Sequence, residues 1–148
     1  MPALSDISAD FSRLRGRGNG ILFCFLDMEQ RPSRNCIREL AKRADEFKRN
    51  GVTVLPIQAS QIMRAKLDRS TKENDIPFPL ASIEGDEDQI RSTWGVKSLP
   101  WLILADRNCV VIAEGFGLDQ LDEKIRESAM HNTEENDDFH SIQAPVDD

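Results

Sequence analysis

The chain has 148 residues, 39% of them hydrophobic and 30% charged, which suits one domain with a sound core and argues against a membrane-embedded or wholly disordered chain. No apolar run approaches the ~20 residues of a membrane span. The net charge of −7 is unevenly spread: residues 131–148 carry six acids and no Lys or Arg, leaving 20 acids against 19 bases elsewhere, so nothing points to a nucleic-acid surface.

Residues 1–20 end in Arg-Gly-Arg-Gly-Asn-Gly and read as a lead-in and a turn, with Arg13, Arg15 and Arg17 read as solvated charges in preference to a phosphate contact. The opening Met1-Pro2-Ala3-Leu4-Ser5-Asp6 lacks the basic flank and apolar centre of a signal peptide. A cytoplasmic location is expected, or a periplasmic one if the chain is cut from a longer precursor. Ile21-Leu22-Phe23-Cys24-Phe25-Leu26 is an unbroken apolar run, the pattern of a strand buried on both faces. A polar loop carries Asp27, Glu29 and Arg31, which either line a site or are simply solvated. A helix is expected from Ser33 to Asn50, because Ile37, Leu40, Ala41, Ala44 and Phe47 recur at three- and four-residue spacing. Ser33 is its expected cap and Gly51 its left-handed end. On these bounds Cys36 falls in the first helical turn, where free N–H groups favour a thiolate and Arg34 adds positive charge.

Val52-Thr53-Val54-Leu55-Pro56-Ile57 reads as a second strand, with Pro56 near its end or at a bulge. The intervening helix is long enough for a right-handed parallel crossover. A helix over Gln61–Asn74 would start at Ser60 and turn Ile62, Ala65 and Leu67 inward. Ile76-Pro77-Phe78-Pro79 is too proline-rich for a central strand. Asp86–Trp94 forms a short helix with Ile90 and Trp94 on one face. Trp101–Ala105 is a third strand, Asp106-Arg107-Asn108 a turn, and Cys109–Glu114 the return strand of a hairpin. Gly115-Phe116-Gly117 breaks it, and a last helix runs from Asp119 to Met130 with Leu121, Ile125 and Ala129 inward. Three cysteines do not make a disulfide framework, and no pair has zinc-like spacing, so no metal or cofactor is called for and a reducing compartment fits. His131 and His140 lie among the carboxylates of a tail that reads as disordered.

Strands and helices alternate first and a hairpin closes the chain, which implies an α/β three-layer sandwich with a mixed central sheet over residues 21–130. Strand, loop, Ser33-x-x-Cys36 and long helix, together with Trp94-Gly95-Val96-Lys97-Ser98-Leu99-Pro100-Trp101-Leu102-Ile103-Leu104, resemble the two hallmarks of the thioredoxin-like fold. Within it, the chain looks most like the TlpA and AhpC/TSA redoxin branch. The resemblance spans roughly residues 11–130. It departs where thioredoxins carry Cys-x-x-Cys: the attacking cysteine is Ser33 here, so a disulfide between positions 33 and 36 cannot form.

The resemblance implies that Pro100 is preceded by a cis bond and faces Cys36, and that Leu99 presents backbone groups to a partner chain. Trp101 reads as core or as part of the binding groove. Protein or small-molecule thiols and disulfides are the implied partners, and nothing fixes the oligomeric state. Cys36 is then either an active thiol or, as the match of the second and more buried cysteine of the motif, a quiet one. Cys24 stands where thioredoxins often hold a buried acid. It reads as a packed core thiol, with a Cys24–Cys36 disulfide as the alternative. Three functions follow: a monothiol redoxin acting through Cys36, a binding module without turnover, or a peroxiredoxin-like peroxidase in which Ser33 orients peroxide for Cys36. The last lacks the family's proline seven residues before the cysteine, where Glu29 stands.

Overall fold

In the computed structural model the described residues are 7–8, 20–78, 80–83, 85–106 and 110–127. The expectations for Arg13, Arg15, Arg17, Cys109, His131, His140 and the tail lie outside them.

The centre is β2, Gly20–Leu26, buried at every position. It pairs in parallel with β3, Val52–Gln58, and antiparallel with β5, Trp101–Asp106. Short strands extend both flanks: β4, Ala81–Ile83, beyond β3, and β6, Val111–Glu114, beyond β5. Inside the expected lead-in, Ile7–Ser8 forms a two-residue strand, β1, antiparallel to β4. The sheet order is β1-β4-β3-β2-β5-β6, a mixed sheet of the thioredoxin-like α/β type.

Alternation along the strands sorts the core into two layers. Leu22, Cys24 and Leu26 of β2 and Leu102 and Leu104 of β5 face one side, where they meet Ile37, Leu40, Phe47, Leu67 and Leu121. Ile21, Phe23 and Phe25 face the other with Leu55, Ile57 and Ile103, against Ile90 and Trp94. The Trp94 ring lies 5.3 Å from both Phe23 and Phe25 in edge-on and tilted contacts. Such pairs contribute about 0.5–1.5 kcal/mol each beyond the burial of area.

The helices are α1, Arg31–Lys42; α2, Ala44–Arg49; α3, Arg64–Glu73; α4, Glu87–Thr93; and α5 over 121–127, entered by a 3-10 turn at Leu118–Gln120. The single helix expected from Ser33 to Asn50 is broken at Arg43, whose N–H donates to Leu40 O. At the break the Arg43 guanidinium bonds Glu46 and Asp122 and lies 5.0 Å above the Phe47 ring. Gly51 ends α2 at φ +72°, as its position suggested. Helix α3 starts later than expected, without a Ser60 cap and with Ala65 exposed; Leu67 is its buried residue. Asp86 caps α4 by accepting from Gln89 N.

Pro56 sits inside β3, not at its end. Pairing with β4 begins only at Ile57, opposite Ala81, so one edge of β3 is still open where the proline lacks a donor. No helix of the described residues is long and apolar enough to cross a membrane.

The double burial of β2 predicts its sensitivity. Phe25→Ala should cost about 3–5 kcal/mol in urea unfolding, through the cavity and the lost Trp94 contact. Met63→Ala, at a side chain 75% exposed, should stay within about 0.5 kcal/mol.

Candidate functional site

Helix α1 begins three residues earlier than a Ser33 cap would place it. Pro32 occupies the opening of the helix, where a missing N–H removes no helical bond. Gln30 takes the cap position without a side-chain bond. Ser33 is therefore inside the helix and fully buried, and its Oγ accepts a hydrogen bond from Asp27 N at 2.9 Å. It is not the cap. Pro32 was the signal in the sequence that could have revealed this.

The same shift moves Cys36 to the sixth residue of α1, in the second turn and not the first. The free N–H groups belong to the first four residues, and their effect fades within one turn. Cys36 instead gains a different neighbour. Its Sγ lies 4.0 Å from the Sγ of Cys24, at the middle of β2. Both thiols are free; Cys24 is 0% and Cys36 5% exposed. A hydrogen bond from the Cys24 thiol lowers the Cys36 pKa, against the opposing effect of burial. Cys24 is correspondingly pushed well up, by its bond to Cys36, by burial and by the Cys36 charge.

Cys36 and Pro100 line one shallow cleft of about 370 Å³. One wall is a stripe of α1, Pro32, Asn35, Cys36 and Glu39, at helical spacing. The other is Pro100 and Leu102 with Phe116, Gly117, Leu118 and Asp119. The Leu99–Pro100 peptide is cis. Asn35, Glu39 and the 116–119 segment were not singled out from the sequence, where the periodicity of α1 marks the buried face of Ile37, Leu40 and Phe47.

Arg34 is not in this cleft, and the side chains of Leu99 and Trp101 also lie outside it, Trp101 in the core, one of its two expected places. Leu99 and Trp101 alternate with Pro100 and Leu102, so their side chains pack toward the opposite layer. The Trp101 ring closes on Gly115, where an added Cβ would lie 2.9 Å from two ring carbons and φ is +70°. Arg34 is two residues from Cys36, roughly 200° around the helix. Its Nη1 donates to Met28 O at 2.9 Å, in a separate groove with Arg38, Lys66 and Arg69.

The loop before α1 is held, not free. Asp27 Oδ1 accepts from Glu29 N and from Gln58 Nε2, while Gln58 Oε1 accepts from Met28 N. Glu29 pairs with Lys66 at 2.8 Å. Gln58, the polar end of an apolar strand, thus ties the β3 terminus to the loop, a role the sequence reading missed. A larger groove of about 550 Å³ lies between α3 and the β4 edge, lined by Gln58, Ser60, Arg64 and Glu87 among others, but contains no thiol. Among the described residues no cluster of His, Cys, Asp and Glu could hold a metal ion.

No family model matches the chain, and no curated protein does. Solved structures do. A thiol-disulfide oxidoreductase from Bacteroides fragilis superposes with a TM-score of 0.65 at 21% identity, over 81% of this chain and 85% of that one. A thioredoxin-like superfamily protein gives 0.67 at 21%, over 81% and 86%. The reduced 2-Cys peroxiredoxin of Plasmodium vivax gives 0.64 at 16%, over 84% and 85%. At these identities the likeness establishes the thioredoxin-like fold.

The buried Ser33 bond predicts that Ser33→Ala orphans the Asp27 N–H and destabilises the protein by about 1–3 kcal/mol. Chemical denaturation measures it; no loss of stability would mean the bond is not made.

Proposed function

We propose that this chain performs thiol–disulfide exchange through Cys36, as a thioredoxin-like protein with a single cysteine in its Ser33-x-x-Cys36 motif. The observation that carries the reading is the shared cleft of Cys36 and Pro100. A thiolate attacks a disulfide sulfur to form a mixed disulfide, and an external thiol then releases it. The bond from Cys24 increases the thiolate fraction of Cys36 near neutral pH.

The apolar walls, Pro32, Leu102, Phe116 and Leu118, suit an extended segment of a protein or small-molecule disulfide, with Glu39 and Asp119 at the rim. In this reading the backbone of Leu99 pairs with that segment. A reducing compartment such as the cytoplasm suits a resting thiol.

A second reading has one observation behind it. Cys36 is only 5% exposed, which favours a binding module that uses the cleft without turnover. The peroxidase reading is weaker, because the Ser33 hydroxyl is buried and committed to Asp27 N.

Alkylation of the folded protein against pH separates them. With its pKa lowered by the bond from Cys24, Cys36 should react with a midpoint below that of an ordinary cysteine thiol. Its rate should fall as pH drops through that midpoint and the thiolate is protonated, and level off above it. Cys36→Ser should abolish this phase. A Cys36 that stays unreactive across the range leaves the binding module.

A further inference from the structure

We infer that Cys24 is the resolving thiol for Cys36: once Cys36 holds a substrate sulfur, the Cys24 sulfur attacks it from the core and closes a strand-to-helix disulfide. The inference rests on the exchange reading above and puts Cys24 in the place of the external thiol that would otherwise release the mixed disulfide. It gives the protein a two-electron dithiol cycle without a Cys-x-x-Cys motif.

Three features carry it. The first is proximity: the sulfurs are 4.0 Å apart, across the contact between the centre of β2 and α1. A disulfide requires about 2.05 Å, so they must close by roughly 2 Å. That closure has to come from side-chain rotation together with movement of α1 against β2.

The second is direction. Displacement at sulfur proceeds with the attacking, central and leaving sulfurs nearly in line. Cys36 lines the cleft, whereas Cys24 is wholly buried and does not. A substrate sulfur therefore meets Cys36 from the cleft while Cys24 waits on the core side, so the two do not compete for one approach.

The third is timing. While Cys36 is a thiolate, its bond and its charge hold the proton on Cys24. Once Cys36 is bound in a mixed disulfide that charge is gone, leaving burial as the main restraint. Cys24 becomes a better nucleophile at the step where it must attack.

The steps balance. The Cys36 thiolate attacks a substrate disulfide R–S–S–R′, forming Cys36–S–S–R and releasing R′–S⁻, which takes up the proton given up by Cys24. The Cys24 thiolate attacks Cys36 Sγ, forming the Cys24–Cys36 disulfide and releasing R–S⁻. The two protein thiols are oxidised and the substrate disulfide is reduced, by two electrons. An external dithiol resets the pair by the reverse exchange.

The test uses the full-length chain carrying Cys109→Ser, so that two cysteines remain, treated when folded with dithiobis-nitrobenzoate as the disulfide. The expected result is two equivalents of thionitrobenzoate per chain, no retained adduct, a mass lower by two hydrogens, and a peptide map joining Cys24 to Cys36. With Cys24→Ser added, one equivalent should be released and the adduct should persist on Cys36. A stable Cys36 adduct in the chain that keeps Cys24, or separate adducts on both cysteines, would overturn the resolving role while leaving exchange at Cys36 intact. No release at all would overturn both. If Cys24→Ser does not fold, the chain that keeps Cys24 decides the matter alone.

Discussion

The structure depends on the burial of β2 from both sides. A strand covered by helices on each face must be apolar at every position, and Ile21 to Leu26 meets that condition. Its strict alternation then assigns each side chain to a layer. Even-numbered residues meet α1 and odd-numbered residues meet α4. That assignment turns Cys24 toward α1 and so toward Cys36; a register one residue different would turn it toward Trp94.

Around that strand, short polar links fix where α1 begins. Ser33, Asp27, Met28 and Gln58 join the ends of β2 and β3 to the first turn of α1 through buried hydrogen bonds. Each removes an otherwise unsatisfied polar group from the interior, and their joint effect is to hold the helix in register with the sheet. The stripe from Pro32 to Glu39 consequently faces Pro100 and Leu102 across the cleft. The site is built of three segments far apart in sequence, brought together because β5 pairs antiparallel beside β2.

Much of this was legible in the residues. The apolar runs gave the three main strands, and the helical periodicity of Ile37, Leu40 and Phe47 gave the buried face of α1 and α2. The run ending at Pro100 gave the wall opposite Cys36. What escaped was local or long-range in a specific way. Ser33 looked like a cap because serine often is one, but Pro32 sets the helix start and draws the serine inside. For Trp101 the residues left core and groove both open, and alternation along β5 decides for the core. Arg34 was placed beside Cys36 by sequence distance, which on a helix puts it on the far side. The contact of Cys24 with Cys36 depends on how α1 packs across β2, and spacing along the chain does not encode that.

The position of β5 has a consequence for synthesis. During translation β2 and β3 emerge early, but the strand that covers the other edge of β2 ends at Asp106. For that interval Ile21–Leu26 is an uncharged, β-prone segment with an open row of backbone donors and acceptors, the kind of sequence that templates aggregates between nascent chains. Asp27 and Glu29 on one side and Arg15 and Arg17 on the other supply the flanking charges that oppose such stacking.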